Sequence, residues 1–213
     1  MSNDNDWERY AKLNATVGKL VLDGKRTPSE VADVLQEVVN WSSNFSLFAD
    51  LGIIMVPKDY NHATQLTTFF EKNWASKNNK KFRTSINIME AQFPTPSRVL
   101  KPGERLHVRA FKVNSDTTAS SEECLAFLNR QKSVYTGAQG ASLVYEQKRN
   151  QLQRDRWYLS FDVMDRLWLD ADGNHRVPCI DTEWEDGGFG FNASLFKKDF
   201  DDNCVLLSFR DVK

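Results

Sequence analysis

No stretch of this 213-residue sequence approaches the roughly 18 consecutive apolar residues that a membrane-spanning helix needs. The longest apolar runs, around Leu51–Val56 and Val205–Leu207, are strand-sized. The opening residues, MSNDNDWERY, are acidic and lack the basic-then-apolar order of a signal peptide, so a cytoplasmic protein with no membrane partner is expected. Cysteine is scarce. Cys124, Cys179 and Cys204 are an odd, scattered set without C-x-x-C spacing, which in a reducing compartment reads as buried small hydrophobes. His62, His107 and His175 are equally dispersed, so no local zinc signature exists and no metal is expected. The dinucleotide fingerprint G-x-G-x-x-G, the phosphate loop G-x-x-x-x-G-K-[ST] and the nucleophile elbow G-x-S-x-G are all missing, and no cofactor is expected. Internal repeats and low-complexity tracts are absent too.

What is present is an ordinary globular composition: 40% hydrophobic, 27% charged and 12% aromatic residues. That balance excludes a disordered, collagenous or coiled-coil chain, and the length suits one domain or two packed ones. The net charge of −1 conceals an uneven distribution. Residues 1–71 carry −4, residues 72–156 carry +9 and residues 157–213 carry −6. Either the segments fold together and their charges interleave, or the basic centre presents a face to phosphate or an acidic partner.

The first 50 residues read as helices. Trp7, Tyr10, Ala11, Val17, Leu20 and Val21 follow a helical period to about Leu22, where Asp23-Gly24-Lys25-Arg26 breaks it. Thr27 as N-cap, Pro28 at the first helical position and Glu30 three residues after the cap form a capping box. Val31, Val34, Leu35, Val38 and Val39 follow as one apolar stripe. Next come a buried strand at Leu51–Val56, a helix carrying Leu66, Phe69, Phe70 and Trp74, and a second strand around Ile86–Met89. The proline-punctuated Phe93–Pro96 divides a helical part, 1–92, from an α/β part, 93–213, although one domain would also accommodate both. Beyond it, Lys101-Pro102-Gly103-Glu104 is a type II turn by composition. It feeds the alternating strand Leu106–Ala110, whose outward side chains are His107 and Arg109. Ser120 and Glu123 form a second capping box, and a further helix is expected from Ala141 to about Leu152.

Ten aromatic residues fall in the last 57 positions. Trp157, Leu159 and Phe161 alternate, as do Phe189, Phe191, Ala193 and Leu195. Asp172-Gly173 is a hairpin signal between Leu167–Leu169 and Val177–Ile180, and Val205–Phe209 is a final buried strand. Pro178 places its strand at an edge or a bulge. The expected fold class is α+β (mixed α/β), with N-terminal helices, a mixed middle and a mostly antiparallel C-terminal sheet.

Four segments, LKPGERLHVRAFKV, GAQGASLVYEQKR, WYLSFDVMDRLW and DADGNHRVP, resemble those of an uncharacterised family of hypothetical proteins from candidate-phylum bacteria. The resemblance covers most of residues 50–213 and implies a bacterial protein without implying an activity.

Three segments invite a chemical reading. Gly137-Ala-Gln-Gly140, between a strand and a helix, is an anion-binding candidate, because helix N-terminal N–H groups attract phosphate. A plain strand-to-helix turn is the simpler account. Asp170-x-Asp172-Gly173-Asn174 opens like a calcium loop but has His175 where the glycine belongs and Asp181 where the bidentate glutamate belongs. The carboxylates Asp181, Glu183, Glu185, Asp186, Asp199, Asp201 and Asp202 read as a solvated rim. Nucleic-acid binding rests on Lys80, Lys81 and Arg83, and on Lys148, Arg149, Arg154 and Arg156 beside Trp157 and Tyr158, a cationic strip next to stacking rings. Against it stands a pI near 6.3. The leading expectation is a non-enzymatic interaction or accessory protein, most simply one that binds another protein. The alternatives are a nucleic-acid binder using residues 72–156 and an enzyme acting on a phosphorylated small molecule at Gly137–Gly140.

Overall fold

In the computed structural model, which describes residues 3–32, 44–74, 82–84, 95–170, 172–181 and 188–212, the chain divides into two units, Met1–Ser43 and Asn44–Lys213. The first unit opens with helix α1 (Asn3–Leu22). Its end is set by Gly24 at φ +68. The Lys25 N–H reaches the Leu20 carbonyl at 3.0 Å and the Gly24 N–H reaches that of Val21 at 3.0 Å. These paired bonds satisfy the last helical carbonyls only if one residue turns left-handed, which glycine does without a Cβ clash. The chain turns helical again over 28–32. There the expected capping box forms: Glu30 N donates to Thr27 Oγ1 at 3.2 Å, and Thr27 N donates to Glu30 Oε2 at 2.8 Å. The rest of that stripe, Val34–Val39, lies outside the described residues.

The second unit is α+β. One mixed sheet contains β1 (Phe45–Met55), β2 (Phe82–Thr84), β3 (Arg105–Val113), β4 (Trp157–Leu159), β5 (Trp168–Leu169), β6 (His175–Asp181), β7 (Phe189–Leu195) and β8 (Cys204–Asp211). Its order is β1-β3-β8-β4-β6-β7-β2, with β5 paired to β6. The pairs β1/β3, β3/β8, β4/β6, β5/β6 and β6/β7 are antiparallel. The pairs β4/β8 and β2/β7 are parallel. The C-terminal strand β8 therefore joins two antiparallel blocks. β1 and β3, on either side of the proline-punctuated stretch, pair along their length within this one sheet. The strand expected at Ile86–Met89 lies outside the described residues.

Helices α2 (Gln65–Trp74) and α4 (Gly137–Lys148) cover one face of the sheet, and α3 (Ser121–Arg130) covers part of the other. Alternation decides which side chain goes where. Leu106, Val108 and Ala110 of β3, with Val205, Leu207 and Phe209 of β8, join the first core. Phe111, Val113, Cys204 and Leu206 join the second. In the first core Phe69 is fully buried, with Tyr145 at 5.5 Å and Phe191 at 5.4 Å between ring centroids. Truncating such a ring to alanine removes about 3–5 kcal/mol. In the second, Phe127 of α3 stacks on Phe45 at 4.5 Å and meets Phe111 at 5.0 Å. The Ser120–Glu123 capping box holds the start of α3. The turn at Lys101–Glu104 also forms, with Gly103 at φ +81 and the Glu104 N–H on the Lys101 carbonyl at 3.1 Å.

Two local expectations are corrected. Helix α4 begins at Gly137, so the glycines form its first turn rather than a loop before it. Propensity is overridden there by packing. A Cβ on Gly140 would stand 2.8 Å from Thr136 Cβ and 3.0 Å from the Phe209 ring, so only glycine lets this turn lie so close to β8. Pro178 sits in β6, an interior strand between β4 and β7. Ser160 N donates to the Pro178 carbonyl at 2.9 Å. Pro178 therefore lies just past the last β4/β6 pair, Leu159 with Cys179, where pairing passes from β4 to β5 and a missing N–H is tolerated.

Candidate functional site

The residues singled out from sequence are dispersed and mostly occupied. Gly137 and Gly140 are buried at the start of α4, and a carboxylate already lies there. Asp162 Oδ2 is 3.3 Å from the position a Gly137 Cβ would take. Asp162 is 1% exposed. It accepts from Ser97 Oγ, from Ser97 N at 3.0 Å and from Val163 N at 2.8 Å, clasping two loops together. Burial raises its carboxyl above the ordinary range and those donors pull back. An incoming phosphate would have to share this end of the helix with that side chain.

Of the basic residues Lys148, Arg149, Arg154 and Arg156, Arg149 and Arg156 lie over rings other than Trp157 and Tyr158. Tyr158 is 1% exposed and its hydroxyl accepts from Gln153 N at 2.8 Å. Trp157 is half-buried, with the Lys198 ammonium 5.5 Å from its ring centre. Arg156 lies over Phe48 at 5.6 Å and donates to the Asp202 carbonyl at 3.1 Å, while Arg149 lies over Tyr145 at 5.9 Å. Lys80 and Lys81 fall outside the described residues, and Arg83 is placed only as backbone in β2. Of the tail's rings, Tyr158, Phe161, Trp168, Phe191, Phe196, Phe200 and Phe209 are buried, whereas Trp184 lies outside the described residues.

The acidic segments are structural as well. Asp170 Oδ1 accepts from Asn174 N at 2.8 Å and Asp172 N at 3.0 Å, and its Oδ2 takes Arg176 Nε at 2.8 Å. The Asn174 backbone donor, followed by Arg176, lowers this carboxyl to about 2, and a calcium ion would have to displace the arginine. Asp181 is a buried residue of β6 that accepts from Asn192 Nδ2 at 3.1 Å, and so departs from the expected rim. Glu183, Glu185 and Asp186 lie outside the described residues. All three cysteines are buried, as their dispersal suggested, and burial pushes the Cys204 thiol up to about 12. Among the described residues no group of three or more metal-ligating side chains is placed to hold an ion, and no helix is long and apolar enough to cross a membrane.

A different surface emerges from the sheet. The second core ends at the row Leu47–Phe111–Leu206. Beyond it the same face of β1, β3 and β8 continues without that cover. The next row is Asp50–Arg109–Ser208, then Ile53–His107–Arg210, then Met55–Arg105. Ser208 is buried. Leu47, Ile53 and Met55 are 55%, 42% and 54% exposed, three large apolar side chains on one face. His107 Nε2 sits 2.7 Å from Asp50 Oδ1, and this bond holds the Asp50 carboxyl below its ordinary value. Arg109 rests 5.9 Å over the Phe111 ring. Arg210 donates through Nε to the Gln131 carbonyl and through Nη2 to Gln131 Oε1 at 3.1 Å. Burial, then the neighbouring Arg109 guanidinium, draws Arg210 below the usual arginine value. Among the described residues neither Arg109 nor Arg210 is ion-paired.

β1 is also a sheet edge, but a blunted one. Its register shifts at Leu47/Ala49 and again at Asp50/Gly52. The Gln147 amide receives the Met55 N–H at 2.9 Å and donates to the Met55 carbonyl at 2.8 Å, taking the place of an added strand. Bulges and caps of this kind discourage edge pairing, so the face rather than the edge is what remains for a partner. Sequence reading marked His107 and Arg109 as outward but missed Asp50, Ile53, Met55 and Arg210, because the face exists only once three distant strands are neighbours.

Comparison with protein-family models, curated proteins and solved structures finds no match.

Proposed function

We propose that the protein is a binding module that engages another protein through the open face of β1, β3 and β8. The observation that carries this reading is the juxtaposition of Leu47, Ile53 and Met55 with Arg105, Arg109 and Arg210 on one side of a rigid sheet. Exposed aliphatic surface stabilises an assembly when a partner covers it, at about 25 cal/mol per Å² buried. Arginine and methionine are side chains that protein interfaces favour. Strands fix the spacing of these groups, so a partner meets a preformed surface and orders few side chains on binding.

The test compares the wild-type chain with the Ile53→Ser/Met55→Ser variant in the cells of origin, by cross-linking and quantitative mass spectrometry. Both side chains are exposed, so the variant keeps the wild-type melting temperature. A partner recovered by the wild type and lost from the variant supports the reading. Identical recoveries from the two chains refute it.

A further inference from the structure

Two neighbouring arginines without a carboxylate between them are an unfinished arrangement. Arg109 and Arg210 project from adjacent strands on the open face, one row apart. Asp50 stands directly across from Arg109 and feels its charge, but its side-chain hydrogen bond goes to His107 at 2.7 Å. The Arg210 guanidinium is oriented by Gln131, and the Arg109 guanidinium lies 5.9 Å over the Phe111 ring centre. Arg210 is therefore preorganised, and both keep donors to offer. Resting on the reading above, we infer that the face recognises a protein segment bearing carboxylates between aliphatic side chains, with one partner carboxylate seated between Arg109 and Arg210 and the aliphatic groups laid over Ile53 and Met55.

The chemistry favours an acidic polypeptide over a nucleic acid, although both are anionic. Single-stranded nucleic acids are held by backbone cations together with rings on which bases stack. Among the described residues of this face the rings are Phe111, which is 6% exposed beneath Arg109, and the His107 imidazole, which is tied to Asp50 at 2.7 Å. Its exposed apolar groups, Leu47, Ile53 and Met55, are aliphatic, which suits protein side chains. Side chains on one face of a strand recur every ~7 Å. An extended polypeptide presents its alternate side chains at that same spacing. Guanidinium pairs bind carboxylates in fork geometry, and recognition strengthens where the pair is partly desolvated, as Arg210 is.

The experiment titrates a labelled synthetic peptide, alternating glutamate and leucine on a serine background, into the full chain at physiological salt. Its glutamine counterpart and a single-stranded oligonucleotide of matched charge are the comparison probes. The glutamate peptide is expected to bind at least about tenfold more tightly than the glutamine one. Arg109→Gln and Arg210→Gln should each weaken it by about fivefold or more. The double reversal Arg109→Glu/Arg210→Glu should prefer a lysine counterpart instead. Arg109 makes no hydrogen bond among the described residues, so its variant carries the test if loss of the Gln131 contact unfolds the Arg210 variant. Equal affinity for the glutamate and glutamine peptides overturns the inference, as does tighter binding of the oligonucleotide through Arg109. If the peptides fail while Ile53→Ser/Met55→Ser still releases a cellular partner, this inference falls and the binding reading stands. If no partner is released, both fall.

Discussion

Gly140→Ala separates packing from propensity, because the two demand opposite signs. Alanine in place of glycine inside a helix is worth about 1 kcal/mol of added stability. At position 140 the new Cβ would stand 1.9 Å from Thr136 Oγ1, 2.8 Å from Thr136 Cβ and 3.0 Å from the Phe209 ring. Rotating the threonine hydroxyl relieves the first contact at roughly 0.5–1.5 kcal/mol. The other two involve the N-cap Cβ and a fully packed ring, so α4 or β8 must shift. Overpacking of that kind costs about 1–3 kcal/mol, and in a tightly held turn more. The net expectation is a loss of about 1–3 kcal/mol, or roughly 2–10 °C in melting temperature for a unit of this size. Thermal and urea melts of the variant measure it. Gly18→Ala in α1 is the control, since nothing lies within 4 Å of that position and propensity alone should raise the helicity. Thr136→Ala removes a buried hydroxyl with no hydrogen-bond partner among the described residues and should recover part of the loss in the double variant. If Gly140→Ala melts higher than wild type, α4 does not lie against Phe209 as described.

Three further outcomes follow from the same structure. Asp170 has a carboxyl at about 2 in the folded chain against about 3.9 unfolded, so its contribution is full above about pH 4 and lost as pH falls towards 2. Asp170→Asn should flatten that acid limb in melts stepped through this window, and an unchanged limb refutes the assignment. Ser120→Ala deletes the side-chain half of the α3 capping box and should cost about 1 kcal/mol in urea unfolding, whereas Ser120→Asp should cost little. The three cysteines should resist an aromatic disulfide reagent in the native protein and all react once it is denatured, because burial keeps their thiols protonated.

What the sequence made legible was local. The box at Thr27 and Glu30, the box at Ser120 and Glu123, and the turn at Gly103 were each readable because the partners lie three residues apart. The tail strands were readable from alternation, as in Phe189, Phe191 and Ala193. Failures arose where a distant neighbour decides the matter. Gly137 and Gly140 looked like a loop because glycine disfavours helices, yet Gly140 is required by Phe209, some 70 residues on, and Gly137 stands at φ +50 beside Asp162. Asp181 looked solvated among acids but is buried by its strand neighbours. The open face was invisible for the same reason: Ile53, His107 and Arg210 form one row only through pairing across more than 100 residues of chain. The basic segment at residues 72–156 did contribute Arg105 and Arg109 to that face, while Arg149 and Arg156 of the strip expected at Lys148–Arg156 lie against Tyr145, Phe48 and the Asp202 carbonyl.

The most direct measurement is photo-cross-linking inside living cells, with a photoreactive amino acid at Met55 on the open face and, in a second chain, at exposed Glu122 on α3. A protein adduct formed from position 55 and absent from position 122, and abolished by Arg109→Glu/Arg210→Glu, is the predicted result. A cross-link from position 55 that runs only back into the same chain, or the same adducts from both positions, would contradict a binding face on this sheet.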